Sequence, residues 1–190
     1  ISQEAALKYF LLGAFSSGFF LFGIAMLYGF SGSFDLGTIA AAVTAPAYGR
    51  GLLYAGLALV AVGLLFKIGI VPFANWIPDV YMGAPTPLTG FMAICTKMAA
   101  VGATLRVFYV ALGAERWTWQ PVFAVLAIIT MIAGTVAALT QRDVKRLLAY
   151  SSIAHAGFIF TAVTGASQDV GAGQPTSVSA VGSPVPLAGR

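Results

Sequence analysis

The sequence predicts an all-α, polytopic transmembrane bundle of about five spanning helices, one of them broken at a proline. Charge is the first reason. Asp, Glu, Lys and Arg make up 8% of the 190 residues, about a third of the roughly 25% that an average soluble domain carries. So little charge cannot clothe a water-facing surface. The second reason is apolar weight: 59% of residues are hydrophobic and the mean hydropathy is +0.90. The third is the set of uncharged runs. Tyr9–Phe34 has 26 residues, Trp117–Gln141 has 25 and Leu147–Gln168 has 22. Each reaches the roughly 20 residues that cross ~30 Å of hydrocarbon. Lipid offers the backbone no hydrogen-bond partner, so each run must satisfy itself as a helix.

The spanning helices are expected at about 6–30, 52–78, 87–112, 118–140 and 144–165. The first is too long, and lacks the basic lead, for a signal peptide. It closes at the turn cluster Ser31-Gly32-Ser33. Residues 31–51, with Asp35, Pro46 and Arg50, read as a loop. Pro72 interrupts the second helix, and the Pro- and Gly-rich stretch Pro78–Pro87 reads as a turn. The fourth helix opens with Trp117 and Trp119, the residue type that anchors at membrane interfaces. Gln141-Arg142-Asp143 turns the chain into the fifth. Two regions follow: 1–165 as the transmembrane region and 166–190, rich in Gly, Ser, Pro, Ala and Val, as a flexible linker outside the membrane. The absence of an initiating Met and the closing linker suggest the middle of a longer membrane protein. Lys8, Arg142, Lys145 and Arg146 fall on one side, Arg50, Arg116 and Arg190 on the other. The positive-inside rule then places the N-terminal side in the cytoplasm.

Composition excludes several functions. The net charge of +4 comes from ten Lys and Arg spread along the chain, which is no basic patch for nucleic acid. Cys95 is the one cysteine and His155 the one histidine, so neither a disulfide framework nor a Cys- or His-cluster metal site can form within the chain. There is no phosphate loop, nucleophile elbow or CxxCH haem motif.

The chemistry lies in ionisable groups at membrane depth. Lys67 follows sixteen uncharged residues and precedes eleven more. At ~1.5 Å per residue it stands about 22 Å from the start of its helix at Leu52. A charge there costs several kcal/mol unless it is paired, hydrated or deprotonated. Desolvation favours the neutral amine, so such a lysine can exchange a proton near neutral pH. Five residues on, Pro72 removes a helical N–H. A broken helix beside an ionisable residue marks a wet transport path; the bland alternative is a lysine snorkelling to the interface. Lys97, after seventeen uncharged residues, sits near the middle of the third helix and is a second proton-relay candidate. His155, with Ser151 and Ser152 at i−4 and i−3, reads equally as relay group or packing residue. Lys145 shares a face with Ser152 and is a weaker candidate for proton entry or exit. Asp79 reads as structural, capping or holding the broken helix. Glu4 and Lys8 read as a surface i,i+4 pair.

Around these residues the wording is specific. Leu64-Leu65-Phe66-Lys67-Ile68-Gly69-Ile70-Val71-Pro72-Phe73, then Trp76-Ile77-Pro78-Asp79-Val80-Tyr81-Met82-Gly83-Ala84-Pro85-Thr86-Pro87, resembles the subunit N family of proton-pumping NADH:quinone oxidoreductase (respiratory complex I). So do Lys8–Ser17 and Gln141–His155. The wording looks less like the sister subunits L and M or the Mrp antiporter subunits, which share the wider fold. The resemblance covers about residues 4–165. It implies an inverted-repeat antiporter-like fold and a membrane subunit that couples electron transfer elsewhere to proton transport. Lys67 matches the lysine of the first broken helix and Lys97 the central lysine between two half-channels; His155 and Lys145 fall in the second repeat. The family's glutamate partner for Lys67 would lie upstream of Ile1, and the second broken helix beyond Arg190. The chain itself would bind no cofactor; NADH, FMN, iron–sulfur clusters and quinone would belong to partner subunits in a bacterial cell membrane. Ala74 departs from the family, which commonly has histidine there. An independent cation/proton antiporter subunit and a structural membrane scaffold are the alternatives.

Overall fold

The computed structural model describes residues 2–45 and 49–165, all helix and connecting turns with no strand among them. Helix α1 is Ser2–Ser31, α2 Leu36–Thr44, α3 Arg50–Ile68, α4 Trp76–Gly83, α5 Thr86–Ala111, α6 Arg116–Leu139 and α7 Val144–Gly165. Five stretches are long and apolar enough to span a bilayer: α1, α3, α5, α6 with its short lead-in, and α7. The five expected spans are therefore present. Pro46 and the expected linker 166–190 lie outside the described residues.

Three boundaries differ from expectation. The stretch 31–51 contains α2. Its N-cap is Asp35, whose carboxylate accepts from the Thr38 N–H at 2.8 Å and the Thr38 hydroxyl at 3.1 Å. Those bonds hold its carboxyl below the usual range. The second spanning helix ends at Ile68, not at Pro72, and restarts at Trp76. Six of the ten residues of the supposed turn 78–87 belong to α4, which leaves only Ala84 and Pro85 between α4 and α5.

Helix α3 is central: over half of its apolar window is buried, against 17% for α1. It packs antiparallel to α1, while α6 and α7 form a second antiparallel pair. In that pair Gly134 lets the backbones meet; a Cβ there would stand 2.7 Å from the Ala154 nitrogen. Helix α4 wedges between α1 and α7, and α5 crosses from α3 to α7. One core cluster joins α3, α5, α6 and α7 around Phe108, Trp119, Phe123 and Phe160, with ring centroids 4.8–5.4 Å apart. Trp119 is 2% exposed and donates Nε1–H to the Leu112 carbonyl at 3.1 Å. It is a core residue and not the interfacial anchor its position suggested; Trp117, 82% exposed beside Arg116, fits that role. A second, smaller cluster gathers Phe66, Trp76, Ile77, Tyr81 and Ile153 around the helix break.

Gly69 makes that break. It lies at φ 84°, a left-handed conformation, and its amide and that of Ile70 both donate to the Leu65 carbonyl, at 2.9 and 3.0 Å. A Cβ there would meet Ile77 Cδ1 at 2.2 Å. Gly69→Ala is expected to lower the thermal-unfolding midpoint of the full-length subunit by several degrees, since the backbone alone costs about 1–2 kcal/mol. Gly102→Ala, on a helix face with open space around it, serves as the comparison and is expected to leave the midpoint unchanged or raise it.

Candidate functional site

Seven residues, 69–75, run between α3 and α4 without helical continuity. At membrane depth each freed polar group needs a partner, and neighbouring side chains supply them. The Val71 N–H donates to Thr130 Oγ1 of α6 at 3.0 Å. The Phe66 carbonyl accepts from Trp76 Nε1 at 3.2 Å. Thr130 itself donates to the Leu126 carbonyl at 2.6 Å and is fully buried. Pro72, expected as the structural breaker, sits inside the break four residues past Ile68, the last residue of the helix, and the Val71–Pro72 bond is cis.

Asp79, in the first turn of α4, pins this half-helix to two others. Its carboxylate pairs with Lys8 of α1 at 2.9 Å and Arg146 of α7 at 3.6 Å, and Lys8 also pairs with Glu4 at 2.8 Å. Glu4 and Lys8 are thus part of a four-residue network and not an isolated surface pair. The groups are more than a third exposed, so water and salt screen each pair; the network positions α4 more than it stabilises it. The network gathers Lys8 and Arg146 at one end of the bundle, and Arg50 meets Glu115 at 2.9 Å at the other. Lys8 and Arg146 thus fall at one end and Arg50 at the other, as the sequence groups them; Arg190 lies outside the described residues. A cavity of about 400 Å³ runs from Asp79 and Arg146 to Val71 in the break. Ala74 lines it and offers no proton-carrying group there.

The four relay candidates occupy different settings. Lys67 stands near the end of α3, seventeen residues or about 26 Å from Arg50. It is exposed and has no hydrogen-bond or ion-pair partner among the described residues. Lys97 is 7% exposed. Its ammonium donates to Ser152 of α7 twice, to the carbonyl at 2.6 Å and to the hydroxyl at 2.5 Å. No carboxylate pairs with it among the described residues. A π turn, Met92–Thr96, immediately precedes Lys97, and such turns recur at functional positions. Lys145 lines a groove of about 190 Å³ together with Tyr81, Thr86, Thr89, Leu148 and Ser152. Ser152 is thus shared: it accepts from Lys97 and lines the groove that Lys145 also lines. His155 sits apart, on an exposed face of α7. Its Nδ1 lies 2.7 Å from the Ser151 carbonyl. A carbonyl only accepts, so Nδ1 carries the hydrogen and Nε2 is left to exchange a proton. Ser151 serves His155, and Ser152 serves Lys97.

A family model described as NADH:quinone oxidoreductase/Mrp antiporter, TM, matches residues 1–174. The chain belongs to this antiporter family. Among its relatives, NADH-quinone oxidoreductase subunit N of Parafrankia sp. (strain EAN1pec) is 60% identical over 169 residues, 89% of this chain and 32% of that protein. The subunit N of Rhodococcus opacus (strain B4) is 62% identical over 168 residues, 88% of this chain and 31% of that protein. A chain in the respiratory complex I of Thermus thermophilus, solved with bound aureothin, superposes with a TM-score of 0.68 at 47% identity, covering 84% of this chain and 34% of that one. The chain spans about a third of the length of the curated relatives it matches. Within this antiporter-family stretch, an all-α membrane bundle with a broken helix is the observed architecture.

Two contributors escaped the sequence reading: Thr130 and Trp76 act as partners across helices, and spacing alone carries no signal for that; Ser152 stands out in the sequence only for its shared face with His155 and Lys145, not as the partner of Lys97. Thr130→Val keeps the shape and deletes the acceptor of the Val71 N–H. It is expected to cost about 1–3 kcal/mol, the penalty of an unpaired buried amide. Thermal unfolding of the full-length subunit checks it, with Thr130→Ser retaining most of the stability.

Proposed function

We propose that this stretch belongs to the proton-translocating membrane subunit of a bacterial NADH:quinone oxidoreductase, in which Lys97 is the central proton-carrying group. The carrying observation is the setting of Lys97: an amine 7% exposed, without a carboxylate among the described residues, held only by Ser152. An ammonium in such a place is costly unless hydrated, so small changes of field or hydration move a proton on or off it. The names of the relatives support the choice of complex.

In this reading Lys67, Lys145 and His155 complete the path. Lys145 borders the groove that Ser152, the partner of Lys97, also lines. Lys67, beside the broken helix, receives its acidic partner from the helix that the resemblance places upstream of Ile1. NADH, FMN, iron–sulfur clusters and quinone sit in partner subunits. Electron transfer there shifts the protonation of Lys67 and Lys97 through electrostatic coupling along the membrane. The protein crosses the bacterial cell membrane several times, with the Lys8, Asp79 and Arg146 end on the cytoplasmic side.

The test uses membrane vesicles that carry Lys97→Ala or Lys67→Ala in the full-length subunit, with NADH oxidation and proton uptake recorded together. Both rates are expected to fall roughly tenfold or more at unchanged assembly, the size of effect seen when a positioned proton-transfer group is lost. Arg142→Ala, at the exposed turn before α7, is expected to change neither. Wild-type uptake in an assembled Lys97→Ala complex would sink the proposal.

A further inference from the structure

The Lys97 ammonium meets two oxygens of a single residue, and they differ in kind. The Ser152 carbonyl at 2.6 Å accepts a hydrogen and has none to give. The Ser152 hydroxyl at 2.5 Å accepts one and donates another. Ser152 also lines the groove that holds Lys145, Tyr81, Thr86 and Thr89. At about 190 Å³ the groove has room for several waters of ~30 Å³ each. Among the described residues, no other side chain both bonds Lys97 and lines this groove. The Thr89 hydroxyl is engaged with the Thr86 carbonyl at 2.8 Å on its own helix. His155 is tied back to Ser151 on another face.

Resting on the proton-translocation reading above, we propose that the Ser152 hydroxyl is the relay group that passes protons between Lys97 and this groove. The step balances without leaving charge on the serine. An Nζ–H bond of the Lys97 ammonium breaks as its proton passes to Ser152 Oγ. The O–H bond of Ser152 breaks at the same time, and that proton goes to a groove water. Lys97 is left as a neutral amine, Ser152 as a neutral hydroxyl, and the water as a hydronium that hands on to a neutral Lys145 amine or to bulk water. The reverse order loads Lys97. Throughout, the carbonyl holds the amine while the hydroxyl turns. Tyr81, which belongs to α4, the second half of the broken helix, lines the same groove.

Ser152→Ala separates the two oxygens, because it removes the hydroxyl and keeps the carbonyl. It is made in the full-length subunit within the assembled complex. NADH-driven proton uptake by membrane vesicles is then measured in H₂O and in D₂O. Expected are a fall of roughly tenfold or more, a larger solvent isotope effect than wild type, and recovery in Ser152→Thr. Wild-type uptake and isotope effect in Ser152→Ala overturn the relay. If Lys97→Ala is inactive in the same vesicles, they do so while the proposed function stands; if Lys97→Ala is fully active, both fall. Equal losses in the Ala and Thr variants with an unchanged isotope effect identify a packing role and also overturn the relay. Where Ser152→Ala does not assemble, Ser152→Cys decides: its thiol bonds weakly, so reduced uptake with a raised isotope effect supports the relay and wild-type uptake overturns it.

Discussion

A membrane helix cannot be interrupted unless every backbone group it releases finds a partner inside the protein. That constraint organises this bundle. The break after Ile68 frees the Val71 amide, and Thr130 of α6 must be there to accept it. It frees the Phe66 carbonyl, and Trp76 must fold back to donate. Thr130 is held in turn where α6 and α7 pack backbone to backbone at Gly134. The α6–α7 pair therefore completes the broken helix as much as it packs beside it. With α4 set at a new angle, Asp79 falls between Lys8 and Arg146, and Tyr81 comes to the groove that Ser152 lines. Removing the break would place none of these groups where they are.

The two lysines illustrate how environment separates like residues. Lys67 and Lys97 looked equivalent as charges deep in apolar runs. Lys97 is enclosed and satisfied only by dipoles, a carbonyl and a hydroxyl. Such partners favour its charge far less than a carboxylate would, and this leaves its protonation open to outside fields. Lys67 is exposed on α3 and has no such partner among the described residues.

The fold was largely legible because it follows from one-dimensional quantities. Uncharged run lengths locate spans, and turn clusters between them locate their ends. Some errors were avoidable. Asp35 with Thr38 is an N-cap signal, and α2 follows from it. Trp117 and Trp119 are two residues apart, about 200° around a helix, so both could not face the interface; one had to point inward. Gly69 was overshadowed by Pro72, although only glycine takes the left-handed turn without strain. The site was less legible. Lys97 could be singled out from depth alone. Its partner could not, because Ser152 lies 55 positions away and becomes a neighbour only when α5 crosses to α7. Nor do any residue types announce the π turn before Lys97.

That π turn connects architecture to chemistry. A π turn inserts one extra residue into the helical repeat, so the residues that follow are rotated relative to a regular helix. Helix α5 begins at Thr86, two residues past α4, and its first turn lines the groove through Thr86 and Thr89. Lys97 comes three turns later and reaches Ser152 from within the bundle. A single helix thus presents hydroxyls to the groove at one end and, after the register change, an amine to the far side of Ser152. Ser152 both accepts from Lys97 and lines the groove, and its hydroxyl carries an exchangeable proton.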